Sequence, residues 1–469
     1  MSKRKTKIVC TIGPASWEPE VIRGMIEEGM DVARVNGAFA DTDELDMVKK
    51  LIRDVSDDVA LMVDVKGPEV RLNKFPQAIQ TSPGENIIVG NSEEDLVYPA
   101  NYPDLYKSVS VGQKIIVGDG ELEMTVRRID SGKMYCQVVY GQVLAPGKAL
   151  SLPGCDYATE VLTEKDKENL AHAIKTGWDF VSASFISDAR SVREVRDAIG
   201  NGDIRLIAKI ENEEGIKNLD EILQEVDGIM IARGGLGLEL GLQKIPLVQK
   251  ELITKLNEGG LPVITATQML ESMTTNPRPT RAETTDVANA ILQGTDAVML
   301  SGESAMGKYP VESVKMMAEI AEEVEATIEP KVLSGSIKAP LTTEAISKAA
   351  AEVCIGMGES LDAVIIVSKT GATARLLARH SIKQPIFVFT SSDVNRRFLK
   401  LTRGVIDSFM FKGLDVHQVD YSRDKAIKTI LTMAFKEGVV KKGQKILFLG
   451  KTPVDKQEFF PNLFEIVRL

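Results

Sequence analysis

IRLIAKIENEEGIKNLDEILQEVDGIMIARGG, residues 204–235, sets two short apolar runs, 204–210 and 227–232, on either side of a polar segment with helical spacing at 213–224. A near-continuous apolar run is the mark of a strand buried on both faces, as in parallel sheets whose strands are joined by crossover helices. The first run ends on Lys209 and Glu211, the second on Arg233-Gly234-Gly235. The same alternation extends both ways. Upstream, KIVCTIG (7–13) precedes a helical stretch at 17–28, DVARVN (31–36) precedes one at 41–55, ALMVDV stands at 60–65, and DFVSASF (179–185) precedes one at about 189–200. Downstream, DGIMIA leads to a helix at 243–258, LPVITAT (261–267) to 280–293, and DAVML (296–300) to 310–327. Eight β-α units are the number that closes into a (β/α)8 TIM barrel, which is expected here in preference to an open doubly wound sheet.

At 469 residues the chain exceeds what one core supports, so further domains are expected. Between the third and fourth strands, 71–155 carries short alternating segments (ENIIVG, QKIIVGDGELEMTV, MYCQVVYG) punctuated by Gly, Pro, Asn and Asp. That pattern predicts an inserted all-β domain, a small β-barrel, leaving 1–70 and 156–330 to the main barrel. Residues 331–469 have their own β-α pattern (LDAVIIVS, QPIFVFT, GVIDSFMF, QKILFLG, LFEIVRL) and form a C-terminal α/β domain, with EPKVLSGSIKAPLTTE (329–344) as the expected linker.

Composition removes several function classes. The net charge of −10 argues against a nucleic-acid partner, which would need a basic face. No apolar run approaches the roughly 20 residues of a membrane span, and the basic MSKRKTKIVC start passes directly into a strand, so a cytoplasmic location is expected. Cys10, Cys136, Cys155 and Cys354 are too scattered for a disulfide framework or zinc site, and read as buried apolar residues. His172, His380 and His417 have no metal-ligand spacing. Chemistry must therefore rest on Lys, Arg, Asp, Glu, Ser and Thr.

In a (β/α)8 barrel the active site lies at the carboxyl ends of the strands. Those ends carry Arg34 and Asn36, Asp64 and Lys66, Ser184, Lys209 and Glu211, Arg233-Gly234-Gly235, Thr267 and Gln268, and Ser301 and Glu303. One such residue alone reads as a surface or capping group; seven loaded ends out of eight describe a mixed-charge pocket suited to a small phosphorylated acid.

The motifs TKIVCTIGPAS, KGPEVR, LTEKD, AKIENEEGIKNLDEI, DGIMIARG, TATQMLESM, PRPTRAE and DVANAILQGTDAVMLSGESAMGKYPVE occur in that order along the chain, which resembles the pyruvate kinase family over essentially its whole length. The resemblance implies a barrel with an inserted domain, a C-terminal effector-binding domain and, commonly, a homotetramer. It implies that Arg34 and Lys209 hold the transferring phosphoryl group, that Glu211 is a ligand of Mg²⁺ or Mn²⁺, and that the Gly234 and Gly235 amides receive the substrate carboxylate. Thr267 and Ser301 would stand near the enolate carbon that is protonated. Arg71, Lys165 and Asn36 would contact the nucleotide, with Asn36 and Asp64 also on the metal side. SKTGATAR places Ser368, Lys369, Thr370, Gly371 and Thr373 where the family binds a phosphorylated effector; a plain strand-to-helix turn is the alternative there.

The chain departs from the family at connected positions. The aspartate that follows Arg-Gly and supplies the second metal carboxylate is Gly235. Asn-Phe-Ser-His reads Asn36-Gly37-Ala38-Phe39, Asp-Thr reads Asp64-Val65, and an arginine after Ser-Phe is Ser187. A potassium site thereby loses a hydroxyl at Ala38, although Val65 retains its carbonyl. Mg²⁺ often binds through one carboxylate, waters and substrate phosphates. Three readings stay open at this point: phosphoryl transfer from phosphoenolpyruvate to ADP at normal or weakened rate, reaction of another phosphorylated or enolisable acid, and a noncatalytic ligand-sensing regulator.

Overall fold

The computed structural model describes residues 4–67, 69–90, 97–102, 104–155, 160–411, 423–450 and 463–469. Eight short runs of β-branched and apolar residues form strands: β1 (Lys7–Ile12), β2 (Val32–Asn36), β3 (Ala60–Val65), β4 (Phe180–Ala183), β5 (Arg205–Ile210), β6 (Gly228–Ala232), β7 (Val263–Ala266) and β8 (Ala297–Leu300). All pair in parallel and close in the cyclic order β1-β8-β7-β6-β5-β4-β3-β2. The predicted TIM barrel is therefore present, each strand within a residue or two of its expected span.

Strand side chains alternate between two faces. Ile8, Cys10, Ala33, Val35, Leu61 and Val63 point outward into the layer shared with the helices. Val9, Val32, Met62, Phe180, Ile207 and Met230 point inward and fill the barrel. Two residues further along the same inward rows come Thr11, Arg34, Asp64, Ser182 and Lys209. The barrel interior is thus an apolar plug capped, at its carboxyl end, by a polar layer.

The opposite end is built on a recurrence. Asp31, Asp179, Asp227 and Asp296 stand immediately before β2, β4, β6 and β8. Each accepts the backbone N–H at the start of the preceding barrel strand: Ile8 at 2.9 Å, Leu61 at 2.8 Å, Leu206 at 2.9 Å and Val263 at 3.0 Å. Arginines complete the carboxylates, Arg4 on Asp31, Arg397 on Asp179 and Arg196 on Asp227, while the Arg403 N–H donates to Asp296.

The inserted unit is a curled sheet of six strands, ordered Leu150–Ser151, Lys114–Val117, Leu122–Asp130, Lys133–Tyr140, Asn86–Gly90, Val97–Tyr98, with a separate two-stranded pair, Val143–Leu144 and Ile79–Gln80. Its core includes Val89, Met124, Val126 and Cys136. The C-terminal unit has β9 (Ala363–Val367), β10 (Ile386–Thr390), β11 (Val405–Met410), β12 (Lys445–Gly450) and β13 (Leu463–Arg468), ordered β11-β10-β9-β12-β13 with only the last antiparallel. Its Phe398 and Leu401 enter the foot of the barrel and join the interior cluster, Phe398 lying 5.9 Å from Phe180 between ring centres.

Among the helices for which no span was expected are Glu164–Thr176 and Leu341–Met357, and the second takes the last four residues of the predicted linker as its first turn. Of the four free cysteines, Cys155 is only partly buried. Among the described residues no helix is long and apolar enough to cross a membrane.

Candidate active site

The polar layer follows from strand parity and neighbour order. In the sheet register Arg34 lies beside Thr11, Asp64 beside Ser182 and Asn36, and Lys209 beside Met230. Arg34 donates from Nε to Asp64 Oδ2 at 3.0 Å and from Nη1 to Thr11 Oγ1 at 2.8 Å, with a second, shorter contact from Nη2 to Asp64. Ser182 donates to Asp64 Oδ1 at 2.9 Å. Lys209 Nζ lies 3.5 Å from the same oxygen, 3.2 Å from Glu211 Oε1, and donates to Ser184 Oγ at 2.7 Å. The other Glu211 oxygen accepts the Phe185 N–H at 2.9 Å.

These charges are sheltered, so each governs its neighbour. Burial pushes the Asp64 carboxyl up, but the Arg34 guanidinium and Lys209 ammonium more than reverse this and hold it below the usual carboxylate range. Burial pulls Lys209 down, but Asp64 and Glu211 more than restore it, leaving it above the ordinary lysine value. Lys209 is therefore a fixed cation across neutral pH.

The helix Arg233–Leu240 begins at the end of β6. The Gly234 N–H donates to Thr267 Oγ1 at 3.0 Å. Thr267 and Gln268 have φ of +72° and +52°, and Phe185 at the end of β4 has +56°. Left-handed backbone at non-glycine residues costs about 1 to 3 kcal/mol each and persists where the surroundings impose it. Arg233 supplies that imposition for Thr267, donating to its carbonyl at 2.5 Å and to Ala266 at 3.2 Å while paired with Asp286 at 2.6 Å. At β8, the fully buried Glu303 accepts the N–H of Ser301 at 2.7 Å and of Leu270 at 3.0 Å, tying the β7 and β8 loops together.

Arg34, Asp64, Lys209 and Glu211 are joined in one network, and Gly234 with Thr267 in the next; Gly235 abuts Glu211. Ser301 occupies the adjoining strand end. Asn36 Oδ1 accepts the Ala38 N–H at 3.1 Å, an Asx turn in which Gly37 donates to the Asp64 carbonyl at 2.8 Å. A Cβ on Gly37 would meet that carbonyl oxygen at 2.5 Å, so this loop path excludes any other residue. The Val65 carbonyl accepts the Ser184 N–H at 3.3 Å. Lys165 is exposed and reaches the Phe39 carbonyl at 3.3 Å, while Arg71 pairs with Glu69 at 2.5 Å and donates to Gly147 at 2.8 Å. Ser187 belongs to the turn that starts the helix Ala189–Ile199.

The effector-type loop lies in the C-terminal unit at the end of β9. Ser368 Oγ accepts the Gly371 N–H at 3.0 Å, the Lys369 carbonyl accepts from Asn395 at 2.8 Å, and Thr373 is buried, so its polar groups are largely used in shaping the turn.

Thr11, Ser182 and Asp286 were not singled out in the sequence, and Arg233 and Glu303 had no role there. Thr11 and Ser182 were accessible to parity: counting by twos from the apolar rows reaches them as surely as it reaches Arg34 and Asp64. The partnership of Arg233 with Asp286, 53 residues apart, has no local sign.

The donor set tests the metal that the motifs imply. Glu211 has one oxygen held by a backbone N–H and the other facing Lys209. Asp64 is taken by Arg34, Ser182 and Lys209, and Glu69 by Lys66 and Arg71. Among the described residues no group of three or more His, Cys, Asp or Glu is placed to hold a metal. A complete protein-made divalent site does not fit these residues; a single carboxylate contact at Glu211 does.

Residues 3–314 match the family model for the pyruvate kinase barrel domain, and 344–467 that for the pyruvate kinase alpha/beta domain. The chain belongs to the pyruvate kinase family. It is 41% identical to the pyruvate kinase of Geobacillus stearothermophilus, over 96% of this chain and 78% of that one. To the pyruvate kinase of Clostridium acetobutylicum it is 38% identical, over 96% and 97%. The crystal structure of a pyruvate kinase from Cryptosporidium parvum superposes with a TM-score of 0.89 at 33% identity, covering 99% of this chain and 96% of that one. Against this pyruvate kinase background, Gly235 abuts Glu211 of the charged network, and Ala38 lies in the turn closed by Asn36.

Proposed function

We propose that the chain transfers the phosphoryl group of phosphoenolpyruvate to ADP and that the resulting enolate is protonated to pyruvate. The observation that carries this reading is the convergence of Arg34 and Lys209 on either side of Asp64 at the barrel mouth. Two fixed cations facing one space neutralise the charge spread over the equatorial oxygens of a transferring phosphoryl group. Carboxylate recognition falls to the amides of Gly234 and Gly235 at a helix start, and delivery of the proton to the region of Thr267 and Ser301. Arg71, Lys165 and Asn36 are assigned to the nucleotide. Mg²⁺ or Mn²⁺ belongs to the reading through Glu211, where it would neutralise phosphate charge. For potassium the ligand set is reduced: Ala38 lacks a hydroxyl, although the Val65 carbonyl, which accepts one N–H, keeps a second lone pair.

The reading extends to a cytoplasmic homotetramer and to a phosphorylated effector at Ser368, Lys369, Thr370, Gly371 and Thr373. Exposed Leu242 and Leu247 support self-association by offering apolar surface before and in the first turn of the helix Ile245–Gly259.

The test is pyruvate formation from phosphoenolpyruvate and ADP, coupled to lactate dehydrogenase, with Mg²⁺, Mn²⁺ or Co²⁺. Pyruvate that depends on both substrates and whose rate falls by about 10²- to 10³-fold in Lys209→Met is expected. Absence of pyruvate with every ion, combined with a thermal shift from a different phosphorylated acid, would transfer the assignment to that acid; the reduced metal ligand set at Gly235 is the observation favouring that second reading.

A further inference from the structure

Four side chains at the mouth form a closed charge balance. Arg34 and Lys209 are the cations and Asp64 and Glu211 the anions, linked in sequence by contacts Arg34 to Asp64, Asp64 to Lys209 and Lys209 to Glu211. All four side chains are at most 12% exposed. A divalent ion added to this neutral set would leave two uncompensated positive charges in a sheltered space, which is costly unless an anion arrives with it.

Gly235 decides why the balance is of this kind. It lies inside a helix, Arg233–Leu240, and is absent from the glycines with left-handed backbone, so its conformation does not demand glycine. A Cβ built there would stand 3.0 Å from Glu211 Cβ and 3.2 Å from the Glu211 carbonyl oxygen, tight but reachable with a small adjustment. A carboxylate at 235 would therefore project beside that of Glu211. Without it, Glu211 faces the Lys209 ammonium, and its second oxygen is anchored on the Phe185 N–H.

We infer that Lys209 serves as the built-in counter-ion of Glu211, and that this chain takes up a divalent cation only together with a phosphorylated acid, whose negative charge draws Lys209 away and supplies the ligands missing at Gly235. The inference deepens the proposed function by assigning an order of binding to the same site. The acid brings the metal; the protein alone does not hold it.

Titration of the full-length protein with Mn²⁺, read by the electron paramagnetic resonance signal of the free ion, tests this without turnover. The wild type alone is expected to show no stoichiometric uptake up to about 1 mM, the weak end of protein sites for divalent ions. Gly235→Asp, which adds a ligand, and Lys209→Met, which releases one, should each bind Mn²⁺ without any acid, at about 10- to 100-fold higher affinity than the wild type. Far-ultraviolet circular dichroism checks that both variants fold. Tight uptake by the acid-free wild type, or unchanged affinity in both folded variants, overturns the inference. In a separate arm, phosphoenolpyruvate without ADP should confer Mn²⁺ uptake on the wild type and not on Glu211→Gln. If the variants gain Mn²⁺ while phosphoenolpyruvate confers nothing, the counter-ion role of Lys209 stands and the identity of the acid is what fails.

Discussion

Lys209 carries the greatest burden of any single side chain, because it is held protonated by Asp64 and Glu211 and aimed by Ser184. Lys209→Met should lower kcat by about 10²- to 10³-fold, the cost of removing one preorganised charge-stabilising donor. Lys209→Arg should not restore it, since three acceptors arranged around a point charge do not suit a planar fork. The coupled assay reads both. Thr11 is the quieter partner. Its hydroxyl accepts from Arg34 and donates to the Leu300 carbonyl at 2.9 Å, so Thr11→Val should weaken substrate affinity by about 10-fold, the worth of a hydrogen bond to a charged group, with the fold intact. At this scale much was legible in the sequence. The inward parity of each strand names Arg34, Asp64 and Lys209, but which of them pair depends on how β2, β3, β4 and β5 lie side by side. Residues 34 and 209 are distant in the chain and meet only through Asp64, on a strand that the sheet order sets between theirs.

Among the elements, the turn after β7 holds two consecutive left-handed residues and depends on one arginine. Arg233→Ala should release Thr267 and leave Asp286 unpaired; a displacement of about 1 Å there lowers kcat by about 100-fold, while circular dichroism stays unchanged. The linker has its own anchor in His380, which is fully buried and accepts the Leu333 N–H on Nδ1 at 2.9 Å. Burial, aided by Arg379, lowers its pKa from 6.5 to about 4. Between those values the unfolded chain binds the extra proton and the folded chain does not, so the contribution is complete above 6.5 and is lost as pH falls toward 4. The limit is about 1.4 kcal/mol per pH unit. Melting temperature should fall between pH 7 and pH 5 by more in the wild type than in His380→Gln. The unread helices show where periodicity fails as a guide. Glu164–Thr176 is mostly charged on its surface turns, with Asp166 turned inward to accept the N–H groups of Lys66 and Gly67. Leu341–Met357 buries chiefly Ala, Ser and Thr, too small to draw an apolar stripe.

For the whole molecule, the contact between the barrel foot and the C-terminal unit is the part least visible beforehand. Phe398 reads locally as one more apolar residue in a short helix, and nothing nearby signals that it closes a cavity formed hundreds of residues earlier. Phe398→Ala should destabilise the protein by about 3 to 5 kcal/mol, the usual cost of emptying a large core site, and lower the melting temperature of barrel and C-terminal unit together. Asp179→Ala should do the same by about 3 to 5 kcal/mol, since it strands Arg53 and Arg397 and the Leu61 N–H. The four aspartates were in view in the sequence, each opening an even-numbered strand, yet their meaning appears only when each reaches across to its neighbour. Their arrangement assigns the two rims of the cylinder different duties. One rim is laced shut by carboxylates and corked by a foreign phenyl ring, so the opposite rim can exchange a side chain for a hydrogen, as at residue 235, while the cylinder itself keeps its shape. Endurance at the base is what leaves the top free to diverge.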